Sequence, residues 1–552
     1  MLSLLVVSSL GVGTWIGLSS YSPSSSSNYF EIDKNMDIYI SLYKELNTYY
    51  VDEVDPSKMM REGIDAMLGS LDPYTNYISE AEIENYRLQT TGKYGGIGAL
   101  IRKQGDYVLV AEPYEGYPAD RAGLMAGDMI TEVSGKSTFG KNTDEVSKIL
   151  KGQPGTTVEV KILRPMADGS EKEMTVQLDR EEIKINNVPY YGMLNEDIGY
   201  IHLAHFTDNA GGEVRAAFEE LKENNELKGI VLDLRGNPGG LLNEAVNVTG
   251  VFIDKGEEVV STKGKVTEWN KTFKTTSTPV DTEIPLVVLV NNGSASASEI
   301  VSGSVQDLDR GVVVGHTTYG KGLVQTTRSL PYNTKLKVTT AKYYIPSGRC
   351  IQAINYSQDG NTEFPDSLKS EFFTKGGRVV YDGAGIEPDV TTDEMMLSNI
   401  ALSLYTKQLI FDYATLYRSS HESISGPRDF RLSDEEYEDF MLWLNDKDYT
   451  YTTQSEKVLE ELKETAEFEN YYSAIEEEFA ILKEKMISDK EKDLEKQKVE
   501  ISELLQEEIV LRYYYRAGQI EASFSYDTDL QKALEVIKDQ SEYSALLAPS
   551  NN

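Results

Sequence analysis

The chain has 552 residues, too many for one hydrophobic core, and sets 90 Asp+Glu against 54 Lys+Arg for a formal net charge of −36. So acidic a chain repels phosphate backbones and anionic membrane surfaces, which argues against nucleic-acid binding as its main task. A single cysteine, Cys350, excludes an intramolecular disulfide and a cysteine-based metal site, and any histidine-dependent chemistry must use His202, His205, His316 or His421.

Residues 1–18 (MLSLLVVSSLGVGTWIGL) carry no charge and run into a Ser-rich linker at 19–29. They fit a signal peptide or a short membrane anchor; a buried core helix is the plain alternative, and the linker speaks against it. Residues 30–88 read as an N-terminal helical region, with apolar residues at three-to-four spacing over 36–51 and 56–71 and a turn-rich exit at 71–79. Residues 89–183 become a small β-rich module: strands at 94–101, 107–113, 156–163 and 172–178, a short helix, Gly turn and strand over 117–135, and a helix at 143–152.

Residues 184–395 alternate strands (198–206, 229–235, 284–290) with helices (210–224, 241–253, 297–308). This predicts an α/β core with a largely parallel sheet, so the whole is read as an α/β multidomain protein with helical ends. Residues 396–552 are helical and acidic, with 25 Asp+Glu against 10 Lys+Arg over 431–510. Phe468, Tyr472, Ile475, Phe479, Leu482 and Met486 form one apolar stripe at helical spacing, either packed on its own domain or serving as a dimer seam.

Little points to a metal. His202 and His205 lie three apart on a strand and face opposite ways, and no His-Glu-x-x-His run exists. A Ser–His–Asp triad using Asp233 and His316 is open by count, but no Gly-x-Ser-x-Gly elbow accompanies it. Ser41-Leu-Tyr-Lys44 matches a Ser-x-x-Lys pattern and is read as chance.

Three other segments carry more. In LVVLVNNGSASASEIVSG (286–303) a buried strand ends in a small-residue turn that opens a helix, where backbone N–H groups are free to bind an anion. Ser296-Ala-Ser-Glu299 is equally a capping box, with Ser294 and Ser298 as alternative caps. DLRGNPGGLL (233–242) is a second Gly-rich turn between strand and helix; together the two turns could aim two N–H groups at one oxyanion, or the second could need glycine only for its backbone angles. In TTYGKGLVQ (317–325), Lys321 sits between glycines. Desolvated, it would serve as a base without histidine; otherwise it is a surface lysine in a hairpin.

In order and spacing, DLRGNPGGLL, GSASASE and YGKGLVQ resemble the C-terminal processing peptidases, the tail-specific proteases that use a Ser/Lys dyad. YGGIGALI and PADRAGLMAGDMITEVSG resemble a PDZ domain. The resemblance spans roughly residues 36–395. It implies Ser296 as nucleophile, Lys321 as general base, Gln325 as the residue that orients the lysine, and the N–H groups of Gly240 and Ala297 as the oxyanion hole. Gly96, Ile97 and Gly98 match the loop that binds a substrate's terminal carboxylate. His316-Thr317 stands where Glu-Lys is expected, and Cys350 where serine is common.

The expectation is a serine endopeptidase that takes apolar protein C-termini into the PDZ groove, with no cofactor. In its resting state Lys321 would be misplaced until peptide binds. Residues 1–18 are expected to export the chain or anchor it to the inner membrane, the resemblance implies the bacterial periplasm or envelope, and the helical ends (30–88 and 396–552) are a candidate homodimer contact. The rival readings are a catalytically silent PDZ scaffold and a peptide-binding protein that shares the fold.

Overall fold

The computed structural model describes residues 24–549 except 167, 358–359, 364–366, 368, 394–395 and 491. The stretch 1–18, read as signal peptide or anchor, lies outside the described residues. The chain divides into two compact units, Met1–Ser70 and Leu71–Asn552.

The first unit holds α1 (Ser24–Tyr49) and α2 (Pro56–Gly69). Helix α2 starts where Asp55 accepts the N–H groups of Ser57 and Lys58, with Pro56 just inside. Helix α1 begins inside the stretch expected to be a Ser-rich linker: serine lowers helix propensity but does not break a helix. Its apolar side chains, Phe30, Ile38 and Leu42 among them, stay exposed.

The second unit opens with β1 (Asn76–Ile78) and α3 (Ile83–Thr91), which ends on left-handed Gly92. Strand β2 (Lys93–Gly96) follows, and Gly98, at φ 73°, breaks the run expected to be one strand before β3 (Ala99–Gln104). Next come β4 (Tyr107–Pro113), α4 (Pro118–Arg121), β5 (Met129–Val133), β6 (Lys136–Ser137), α5 (Thr143–Leu150), β7 (Thr157–Pro165) and β8 (Glu171–Asp179). They form an antiparallel sheet in the order β3-β4-β5-β7-β8, with β6 on β5, so β3 is an edge. Val108, Val110, Ile130, Val146, Val160 and Ile162 fill its core. Strand β9 (Glu181–Lys184) returns to pair with β2.

The central region comprises β10 (Tyr190–Met193), β11 (Ile198–His202), α6 (Ala210–Asn224), β12 (Gly229–Asp233), α7 (Leu242–Phe252), β13 (Glu258–Gly264), β14 (Lys271–Lys274), β15 (Leu286–Val290), α8 (Ala297–Asp307) and β16 (Val312–Gly315). Strands β17 (Leu323–Leu330) and β18 (Thr334–Tyr344) follow, then β19 (Ile354–Ser357) with β20 (Gly360–Glu363), β21 (Glu371–Phe373) with β22 (Val379–Tyr381), and β23 (Val390–Thr391). One sheet runs β10-β11-β12-β15-β16-β23 and is parallel from β11 onward. Its inner strands β12 and β15 are buried on both faces, which explains their unbroken apolar runs.

A second sheet joins β1, β18, β13, β14 and β17, wholly antiparallel. Over the core as a whole antiparallel pairings are the more numerous, so the expected single, largely parallel sheet is corrected. The long β17–β18 hairpin supplies a second layer that no helix–strand alternation announces.

The C-terminal helices are α9 (Asn399–Thr406), α10 (Leu409–Ser420), α11 (Asp434–Trp443), α12 (Gln454–Phe468), α13 (Tyr472–Lys490), α14 (Asp493–Lys496), α15 (Lys498–Ser523), α16 (Thr528–Lys538) and α17 (Gln540–Leu546). The apolar stripe expected on one helix is split, because Asn470 turns the chain in a left-handed conformation (φ 61°) between α12 and α13. Helices α16 and α17 cover one face of the parallel sheet, burying Leu530, Val536 and Ile537 against Val231, Val287 and Leu289. Helices α10 and α15 reach the β module: Arg102 stacks 3.6 Å from the Phe411 ring centroid, and the Tyr515 hydroxyl donates to Asp120 (2.7 Å).

Candidate active site

Two glycine-rich turns leave neighbouring parallel strands at their carboxyl ends, where open sheets of this kind place ligands. They brace each other. The Asn237 carbonyl accepts the Ala295 N–H (3.0 Å) and the Ser298 hydroxyl (2.9 Å), and Ser294 Oγ donates to the Leu234 carbonyl (2.8 Å). Ser294 and Ser298, weighed above as alternatives to Ser296, are fully buried ties between the turns.

Ser296 sits at the cap of α8 with φ 55° and ψ −107°, a backbone few L-residues adopt. Ala297 is the first residue of α8, where a helix offers its N–H no partner. Opposite, a Cβ on Gly239 would fall 2.6 Å from the Ala295 carbonyl oxygen and 3.0 Å from the Ser296 Cβ. One on Gly240 would fall 2.3 Å from the Phe206 carbonyl oxygen. Gly239 lets the second turn approach the serine to backbone distance, and Gly240 lets it pack against the Phe206 main chain.

Lys321 comes from the loop between β16 and β17. Gly239, Gly240, Ser296, Ala297, Lys321 and Gln325 all line one cavity of about 580 Å³. Burial, and after it the nearby ammonium of Lys337, pull the Lys321 pKa down to about 8. Among the described residues the Lys321 ammonium makes no ion pair; it lies 4.2 Å from the centroid of the Tyr74 ring. Gln325 Nε2 donates to Thr339 Oγ1 (3.1 Å).

Glu299, fully buried in the first turn of α8, accepts four donors. Its Oε2 takes the N–H groups of Ser296 (2.7 Å) and Lys321 (2.9 Å); its Oε1 takes the Gly320 N–H (2.6 Å) and the Thr318 hydroxyl (2.7 Å). Loss of water around the carboxyl pushes its pKa up, against these four bonds. The capping box recognised in the sequence explains only the bond to Ser296.

The triad left open by count does not assemble on Ser296. Asp233 is held by Arg235 (2.6 Å) and Tyr200 (2.8 Å), and His316 Nε2 lies beside Thr392 (3.3 Å) and Asp529 (3.9 Å). Arg235 also binds Asp527 (2.6 Å) and Asp529 (3.1 Å) of the C-terminal helices. Among the described residues no cluster of potential metal ligands occurs. The sequence reading missed three groups at the site: His205 and Lys337, which line the cavity, and Tyr74, which faces Lys321. Only the apolar–aromatic turn 71–79 and the lysine-rich alternation of β18 hinted at them.

Gly96, Ile97 and Gly98 lie outside this cavity, where the end of β2 leads into edge strand β3. The Ile97 and Gly98 carbonyls accept the N–H groups of Ala119 (2.8 Å) and Tyr114 (2.9 Å).

The chain matches the model of peptidase family S41 over residues 197–361 and a PDZ domain over 109–164. Residues 400–537 match the model described as "Probable PDZ-protease, C-terminal helical domain". A carboxy-terminal-processing protease of Bartonella bacilliformis is 37% identical over 327 residues, covering 59% of this chain and 74% of that protein. A protein of Staphylococcus aureus strain N315 named a "Probable CtpA-like serine protease" is 36% identical over 378 residues, 68% of this chain and 74% of its own. Among solved structures, a photosystem II D1 C-terminal processing protease is 29% identical with a TM-score of 0.35, over 64% of this chain and 92% of that one.

Proposed function

The chain belongs to peptidase family S41, among its PDZ-bearing carboxy-terminal-processing serine proteases, and from that premise we propose that it cleaves with Ser296 as nucleophile and Lys321 as general base. The observation that carries this is one cavity lined both by a serine at a strained helix start and by a desolvated lysine with a pKa of about 8. Near that pH a large fraction of Lys321 is neutral and able to take the Ser296 hydroxyl proton as Oγ bonds to the substrate carbonyl carbon. The Gly240 and Ala297 N–H groups receive the oxyanion, each worth about 3 kcal/mol of barrier by comparison with single donors in other enzymes. Lys321 returns the proton to the leaving amine, and water then releases the acyl group.

The PDZ module selects the substrate in this reading. A protein's apolar C-terminus adds as a strand to β3, whose outer edge is open, with its carboxylate on the 96–98 loop. The Lys321–Tyr74 contact and the Gln325–Thr339 bond support a resting state in which the lysine awaits peptide binding. Export, with envelope proteins as substrates, rests on residues 1–18; no described helix is long and apolar enough to cross a membrane. The exposed apolar side chains of α1 support a homodimer through the helical ends, which light scattering tests.

The deciding experiment compares wild type, Ser296→Ala and Lys321→Ala on an unfolded protein with an apolar tail. Cleavage by wild type alone supports the dyad. Peptide binding without cleavage in all three makes the chain a scaffold.

A further inference from the structure

We propose that Glu299 is the positioning residue that holds the Ser296 turn and the Lys321 loop in register, through a single buried carboxylate bonded to both main chains. This rests on the Ser/Lys reading above. A helix cap needs only the bond to Ser296. The other three bonds, from Thr318, Gly320 and Lys321, all go to the loop that carries the base, about twenty residues further along the chain.

Three of the four donors are backbone N–H groups, which can only donate, so the bonding favours the carboxylate against the upward push of burial. Two N–H donors on the same Oε2 tie the nucleophile's backbone to the base's backbone through one atom. Any drift of the lysine loop must stretch a charge-assisted bond in a dry site, where such bonds are strongest.

The carboxylate also acts on the base through space. It favours the Lys321 ammonium, as Asp72 does, while Lys337 opposes it. Tyr343 and Tyr74, also packed here, are held neutral by burial, and burial pushes the pKa of His205, which lines the same cavity, below the usual imidazole range. Removing the charge of Glu299 therefore makes Lys321 easier to deprotonate while loosening its position.

The test uses the full chain with Glu299→Gln and Glu299→Asp, measuring kcat and KM across pH 6–10 beside thermal melting. Glu299→Gln is expected to lower kcat about 100-fold, as for a misplacement of about 1 Å, with KM nearly unchanged and the acid limb of the profile moved to lower pH. Glu299→Asp keeps the charge but shortens the reach, so it lowers kcat and leaves the limb in place. If Glu299→Gln does not fold, Thr318→Val removes one donor, and kcat should fall several-fold with KM unchanged.

Folded variants with wild-type kcat overturn the proposal. So does a Glu299→Gln kcat loss with an unmoved acid limb, which would leave a helix cap only. Ser296→Ala and Lys321→Ala run in parallel: if Lys321→Ala stays active, the dyad reading fails, whereas silent dyad variants beside an unimpaired Glu299→Gln sink this inference alone.

Discussion

The turns around Ser296 and the 96–98 loop are both built on glycines, yet they are held in different ways. Around Ser296 the backbone is tied inward by Asn237, Ser294, Ser298 and Glu299, all of them buried. The 96–98 loop is tied through the β2–β9 pair at Gly96 and through the Ile97 and Gly98 carbonyls, with no buried side chain among these ties, and it leads into an edge strand with Leu100 half exposed. On the dyad reading, the main chain around the nucleophile is pre-organised, whereas the lysine side chain and the recognition strand are completed by the peptide. Stabilising an oxyanion requires dipoles fixed beforehand; adding a strand requires an unfilled ladder.

The sharpest way to break this comparison is to disable one side and read the other. Ser296→Ala or Lys321→Ala should each lower kcat by about 10⁴-fold or more, while calorimetry finds peptide binding to the module unchanged. Amidating the substrate's C-terminus should do the reverse: KM rises about tenfold with kcat intact, because only the 96–98 loop loses a charged partner. An equal loss of kcat would mean that the two regions are more tightly coupled than their bonding implies.

Within the catalytic side, Lys337→Met removes the like charge beside Lys321. The Lys321 pKa, now about 8, then rises, so the acid limb of kcat/KM moves to higher pH and activity at pH 7 falls several-fold. A limb that stays in place would leave burial as the only cause of the depressed pKa. The mildest change tests the loop. Gly98→Ala places a Cβ 2.4 Å from the Tyr117 Cβ at φ 73°, and should cost about 1–3 kcal/mol of stability by thermal melting without altering kcat on substrates whose tails bind weakly.

Much of this was legible in the sequence. Helix α6 spans the 210–224 read from its amphipathic spacing, and α8 starts at Ala297 just after the Ser-rich turn. Local periodicity suffices where an element is long and its buried face regular. The antiparallel sheet escaped because β17 and β18 carry mostly half-buried residues, without the apolar runs that mark β12 and β15. The α12–α13 break escaped because an asparagine in the left-handed conformation leaves the apolar spacing on either side intact. Glu299 was visible as a cap, but nothing in its spacing shows a carboxylate reaching a loop beyond the next strand. Such contacts belong to the tertiary fold, and no local window contains them.

Ser296 would be easier to fold as glycine. At φ 55° and ψ −107° the serine carries a backbone strain on the order of 1–3 kcal/mol, a sizeable part of a domain's margin. On the dyad reading, a sturdier version of this chain is therefore one substitution away and unable to cut. On that reading, drift that favours stability alone leads toward an inert binder of protein tails, and only continued use of the blade keeps the serine in place.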